Sequence, residues 1–206
     1  MVKLLLILFG LKIFTPEYDD ITLELQSSVP TDNDITFTCC GAFTKELSLF
    51  SPQVKGNYYS NGNVHLEDCN YDSFIFTNGK YYFEKGKSSK FKTMDNGMGF
   101  QQLLIIYDSK RTRRVITRSS KERYYRALCE YENKLCIIEA EEPMTFEEFV
   151  SQLSKLDVRY AMYLDTDWGW QDAWYRNAKG DKEWLHDSFI FPFRSNFITF
   201  KKTKNL

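Results

Sequence analysis

Leu135-Cys136-Ile137-Ile138-Glu139-Ala140, then Met144-Thr145-Phe146-Glu147-Glu148-Phe149-Val150 running on to Leu156, then Val158-Arg159-Tyr160-Ala161-Met162-Tyr163-Leu164-Asp165 make one stretch whose hydrophobic period changes twice. The first segment is a short apolar run. In the second, Phe146, Phe149, Val150, Leu153 and Leu156 recur at helical spacing, Thr145 suits an N-cap with Glu148 completing a capping box, and Met144 and Phe149 stand where a hydrophobic staple sits. In the third, Val158, Tyr160, Met162 and Leu164 alternate with Arg159, Ala161 and Tyr163, which is strand periodicity. The pattern predicts strand 135–140, helix 145–156 and strand 158–164, a βαβ unit with parallel strands and a right-handed crossover. Ligands gather beyond the carboxyl ends of such strands, and Asp165 stands at one of them.

Upstream, from about 18 to 107, short apolar or aromatic runs alternate with Asn61-Gly62, Asn78-Gly79 and Asn96-Gly97. Asn-Gly between such runs favours tight hairpins because both residues accept positive φ. Together these readings predict an α+β fold: a mixed, largely antiparallel β-sheet with a βαβ unit near residues 135–164 and one prominent amphipathic helix. Residues 18–206 are read as a single domain preceded by an apolar segment, 1–17.

Composition narrows the function classes. The 206 residues are 43% hydrophobic and 17% aromatic, and 27 Lys and Arg nearly cancel 28 Asp and Glu, so no global field draws the chain to nucleic acid or an anionic surface. Lys110 to Arg126 is the local exception, with eight basic residues against the single acid Glu122. It reads either as a phosphate-binding patch or as a solvated hairpin tip, and nucleic acid is not expected as a partner. Five cysteines, without a C-x-x-C pair, and two histidines argue against both a disulfide scaffold and a structural zinc site. Met1-Val2-Lys3 followed by Leu4 to Leu11 has the charged start and apolar run of a secretory signal, too short to span a bilayer, and Lys12 with Ile13-Phe14-Thr15-Pro16 supplies no small-x-small cleavage site. Secretion or a periplasmic location is the expectation; an uncleaved apolar strand and a cytoplasmic location are the alternatives.

After Asp165 comes Thr166-Asp167-Trp168-Gly169-Trp170-Gln171-Asp172, then Trp174-Tyr175-Arg176. Carboxylates beside aromatic faces are what a carbohydrate site needs: one acid protonates a glycosidic oxygen, another stabilises positive charge at the anomeric carbon, and indoles stack on the sugar. The same Trp residues are also what closes a sheet end by packing. Asp165, Asp167 and Asp172 suggest a calcium loop, but Trp170 and Arg176 stand where an EF-hand needs Gly and a bidentate Glu, so no cofactor is expected.

In order and spacing, Tyr125-Arg126-Ala127, Leu135 to Glu139, the Met144-Thr145 helix and Ala161-Met162-Tyr163-Leu164-Asp165 resemble the phosphodiester glycosidase domain family, typified by the mannose 6-phosphate uncovering enzyme. Leu164-Asp165-Thr166-Asp167-Trp168-Gly169-Trp170 followed by Trp174-Tyr175-Arg176, and the closing Ser195-Asn196-Phe197-Ile198, are similar to a bacterial subgroup. The resemblance reaches from about 35 to 202, more faintly at Cys39-Cys40-Gly41-Ala42-Phe43 and Phe100-Gln101-Gln102. It implies hydrolysis of a sugar-1-phosphodiester at the anomeric carbon, with Asp165 and Arg126 catalytic and Gly41, Asp167, Trp168, Gly169, Trp170 and Arg176 binding substrate. Two departures bear on activity: Cys39 stands where the family has Asn, and Asp167 where it has a Gly. The alternative is a glycan-binding or surface module of the same fold that has lost catalysis.

Overall fold

The computed structural model describes residues 2–26, 28–44, 54–114, 120–166, 172–186 and 196–203. Along the chain the strands are β1 (Val2–Leu8), β2 (Leu11–Pro16), β3 (Asp20–Glu24), β4 (Ile35–Cys40), β5 (Tyr58–Ser60), β6 (Asn63–His65), β7 (Asp72–Thr77), β8 (Lys80–Glu84), β9 (Met98–Gln102), β10 (Leu104–Tyr107), β11 (Lys110–Arg111), β12 (Arg126–Tyr131), β13 (Lys134–Ala140), β14 (Tyr160–Leu164), β15 (Ala173–Arg176), β16 (Lys182–His186) and β17 (Phe197–Lys201). A single α-helix, α1 (Phe146–Lys155), joins them among the described residues. The α+β expectation is thereby corrected: this is a β-dominated fold of three sheets.

The first sheet has the order β1-β2-β13-β12-β14-β10-β11, the second β16-β15-β4-β17-β3 and the third β6-β5-β9-β7-β8. Every described strand pairing is antiparallel. The expected parallel pair is absent for a physical reason. β12 and β13 close a tight hairpin through Glu132 and Asn133, both at positive φ, and β2 pairs the other side of β13. β14 is left with the free side of β12, so it runs in the same direction as β13 but one strand away.

Tight turns explain much of the antiparallel pattern. Asn61-Gly62 and Asn78-Gly79 turn β5 into β6 and β7 into β8 with both residues at positive φ, as their sequence predicts. Asn96-Gly97 differs: it joins no hairpin, and a Cβ at Gly97 would fall only 2.0 Å from the Phe76 carbonyl oxygen. Asn96 Oδ1 instead accepts from Thr77 Oγ1 at 2.8 Å, tying this loop to the end of β7.

α1 forms as the sequence predicts. Thr145 Oγ1 accepts from Glu148 N at 3.3 Å, and Thr145 N donates to Glu148 Oε2 at 2.8 Å. The helix buries Phe146, Phe149, Val150 and Leu153 against Ala127, Cys129, Ile138 and Ala161 on one face of the first sheet. The opposite face carries Phe14, Leu128, Ile137 and Met162, which share a core with Phe37, Ile198 and Phe200 of the second sheet and Phe74 and Phe100 of the third. Burial of each large apolar side chain contributes about 1.5–3 kcal/mol before entropy is deducted. The signal-like segment Val2–Leu8 is the edge strand of the first sheet, paired with β2. Among the described residues no helix is long and apolar enough to cross a membrane.

Candidate functional site

Arg126 opens β12 directly opposite Glu139 of β13. Strand alternation sends both side chains to the face that carries Leu128 and Ile137, the face turned toward the second sheet. Both are essentially buried, at 0% and 2% exposure. Arg126 Nε and Nη2 donate to Glu139 Oε2 at 2.6 and 2.5 Å. The other carboxylate oxygen, Oε1, lies 2.8 Å from Nε2 of His186, the last residue of β16 in the second sheet, and the Tyr124 ring packs 4.7 Å from the imidazole. Cys39 of β4 faces the same pair, its thiol hydrogen-bonded to the Arg126 side chain.

Leu164 pairs with Arg126 across β14 and β12, which puts Asp165 one residue beyond the guanidinium's strand position. Asp165 N donates to Gly41 O at 2.8 Å, and Cys40 N to Asp172 O at 3.3 Å. The Cys40 thiol lies within electrostatic range of Asp172, Arg126 and Asp165 at once. The structure therefore brings the sequence-predicted Arg126, Asp165 and Gly41 together at one end of β4, β12 and β14. Gly41 has a steric reason to lack a side chain, since a Cβ there would stand 2.9 Å from Asn196 Oδ1. That side chain clamps Ala42, accepting from its N at 2.7 Å while Nδ2 donates to its carbonyl at 2.9 Å.

Arg176 does not join them. It closes the far end of β15 from Ala173, the residue opposite Cys39, roughly 10 Å along the strand. There Nε donates to Ile35 O at 2.9 Å, and the guanidinium stacks 5.4 Å from the Trp174 ring. Trp174 itself is buried, and its indole N–H donates to Pro30 O at 2.9 Å, so this Trp packs rather than lining a cleft. Asp167, Trp168, Gly169 and Trp170 lie outside the described residues.

Glu139 and His186 were not sequence candidates. Glu139 had a signal, a lone carboxylate inside the apolar run 135–140, whereas His186 had none.

The electrostatics follow from burial. Desolvation opposes the Glu139 charge, yet Arg126 and then His186 hold its carboxyl below the ordinary glutamate value. Desolvation likewise opposes the Arg126 charge, and Glu139 outweighs it, so the guanidinium stays protonated. Burial pushes the Cys39 thiol up to about 12 and the Cys40 thiol well above its usual value, which removes both as thiolate nucleophiles near neutral pH. What remains chemically is a fixed cation, a fixed anion bracing it, and the carboxylates Asp165 and Asp172, which share the surroundings of Cys40 with Arg126. Among the described residues no group of three His, Cys, Asp or Glu side chains could hold a metal ion; of the calcium-loop triad, Asp167 lies outside them.

No protein-family model matches the sequence, and no curated protein matches it. A solved structure does: the zebrafish N-acetylglucosamine-1-phosphodiester α-N-acetylglucosaminidase catalytic domain, auto-inhibited by its pro-peptide, superposes with a TM-score of 0.63 at 10% identity, covering 94% of this chain and 77% of that one. The two chains share a fold. At that identity the likeness concerns architecture alone.

Proposed function

We propose that the chain is a phosphodiester glycosidase that hydrolyses a sugar-1-phosphodiester. The observation that carries this reading is the buried Arg126–Glu139 pair set beside Asp165, in a fold shared with a glycosidase catalytic domain. In the reaction the bond between the anomeric carbon and the phosphate oxygen breaks. The electron pair leaves with the phosphate, water supplies the new anomeric hydroxyl, and the proton that water sheds goes to a carboxylate and from there to the released phosphate or solvent. A phosphate monoester is a good leaving group, so its developing charge calls for a fixed cation, the role assigned to Arg126. Positive charge grows at the anomeric carbon, and Asp165 is the carboxylate assigned to it, with Asp172 as the second carboxylate a glycosidase needs. Glu139 and His186 hold the guanidinium in place. The bacterial-subgroup motifs and an exported location belong to the same proposal.

The test is release of free sugar from an N-acetylglucosamine-1-phosphodiester. Turnover is expected in the parent chain, with a loss of about 10²–10⁴-fold in Asp165→Asn at an unchanged melting temperature. Equal turnover in the two proteins would sink the assignment.

One observation favours the second reading, a glycan-binding module without catalysis. Cys39, an uncharged thiol pushed up to about 12, occupies the hydrogen-bonding position beside Arg126 where the family resemblance calls for an amide. Binding on a glycan array without sugar release, abolished by Trp170→Ala, identifies that module.

A further inference from the structure

A charged cavity lies away from the Arg126 end of the fold. Its volume is about 690 Å³, and it opens between the β10–β11 hairpin and the segment that follows β8. Tyr107, in its wall, pairs with Tyr160 at the start of β14, whereas Asp165 follows the end of that strand. The two places are thus separated by the length of β14, roughly 16 Å.

Five cations line the cavity: Lys85, Lys110, Arg111, Arg113 and Arg114. Only two carboxylates accompany them, Asp72 and Asp108. Asp72 is a mount for Arg114. It is 3% exposed, its oxygens accept from Leu104 N at 3.1 Å and Gly86 N at 3.0 Å, and Arg114 reaches it through Nε at 3.1 Å and Nη2 at 3.0 Å. Asp108 is turned toward solvent, with an oxygen 3.9 Å from Arg159. Arg111 is tied to Glu147 of α1 at 2.7 Å. Lys110 and Arg113, by contrast, face no carboxylate within ion-pair distance among the described residues. Besides satisfying the Leu104 and Gly86 amides, the buried Asp72 fixes one guanidinium at the rim of a concavity, beside two cations with no described carboxylate in ion-pair reach.

We propose that this cleft binds a small ligand carrying several phosphate charges, a polyphosphate or a phosphate ester. A guanidinium fork held rigid and two adjacent cations supply the donors such a ligand needs, and the volume of this open cleft falls in the range of small-molecule sites. The cleft is poorly made for a single-stranded nucleic acid, which requires free aromatic faces for its bases. Its one aromatic wall, Tyr107, is already occupied, with Lys85 Nζ 4.5 Å from the ring centre and Tyr160 packed edge-on at 5.3 Å.

Titration of the whole chain with inorganic tripolyphosphate, followed by calorimetry at low ionic strength, tests the assignment. Saturable binding is expected, weakened about tenfold in Arg113→Gln and about a hundredfold in the Lys110→Gln, Arg113→Gln double variant. Both residues are exposed, so melting temperature and sugar release are expected to stay at parent values. Asp165→Asn is expected to bind the probe as the parent does, which separates this cleft from the Arg126 site. No binding by the parent, or an affinity unchanged in the double variant, overturns the proposal. A ten-nucleotide single strand that binds more tightly than tripolyphosphate overturns the ligand class.

Discussion

Replacing Glu139 by Gln removes the carboxylate that braces a fully buried guanidinium, and breaking a buried pair from one side is expected to destabilise the chain by about 3–5 kcal/mol in urea melts. The same side chain has a pH signature. Its carboxyl is held low in the folded chain, so the folded state binds fewer protons than the unfolded one. Its stabilisation is complete above the unfolded glutamate value of about 4.3 and drains as the medium is acidified through the lower folded value. Melts between about pH 7 and about pH 2 are expected to show that part of the acid limb missing in Glu139→Gln. Gly41→Ala drives a methyl against Asn196 Oδ1 and is expected to cost about 1–3 kcal/mol, with a smaller effect when Asn196→Ala is already present. At this scale the sequence singled out Arg126 and Asp165 as candidates through their positions at the ends of apolar runs, and the fold sets both at the same end of β12 and β14. The sequence hid His186, because its Glu139 contact is made across two sheets and 47 positions of chain.

α1 was the element most legible in advance, because its cap, staple and apolar face are all local. Thr145→Ala removes one capping acceptor and is expected to lower stability by about 1 kcal/mol, read by thermal melting. The neighbours joined by Asn61-Gly62 and Asn78-Gly79 were legible too, but those around β13 and β14 were not. Hydrophobic period fixes which residues face the core, while adjacency depends on which turns close first. The β12–β13 turn uses Glu132 and Asn133 at φ 51° and 58°, and β10–β11 uses Asp108 and Ser109, pairs with far weaker hairpin preference than Asn-Gly. The parallel crossover failed on that one unseen turn.

Across the whole molecule, β17 closes the second sheet by pairing with β4, Phe200 opposite Phe37, and with β3 on its other side. That pairing joins segments about 160 positions apart, so loop-closure entropy falls on the folding step. Refolding from urea, followed by stopped-flow fluorescence, is expected on the millisecond-to-second scale or slower, and a chain ended before Phe197 is expected to lose its cooperative melt. The contact between Glu139 and His186 joins the first sheet to the second, each layer holding one partner. It is a built-in gauge of their alignment: an imidazole NMR signal would register any slip of one layer over the other before the backbone melts, and heat that shears the layers would take the imidazole from Glu139 while Arg126, paired with Glu139 inside the first sheet, kept its carboxylate.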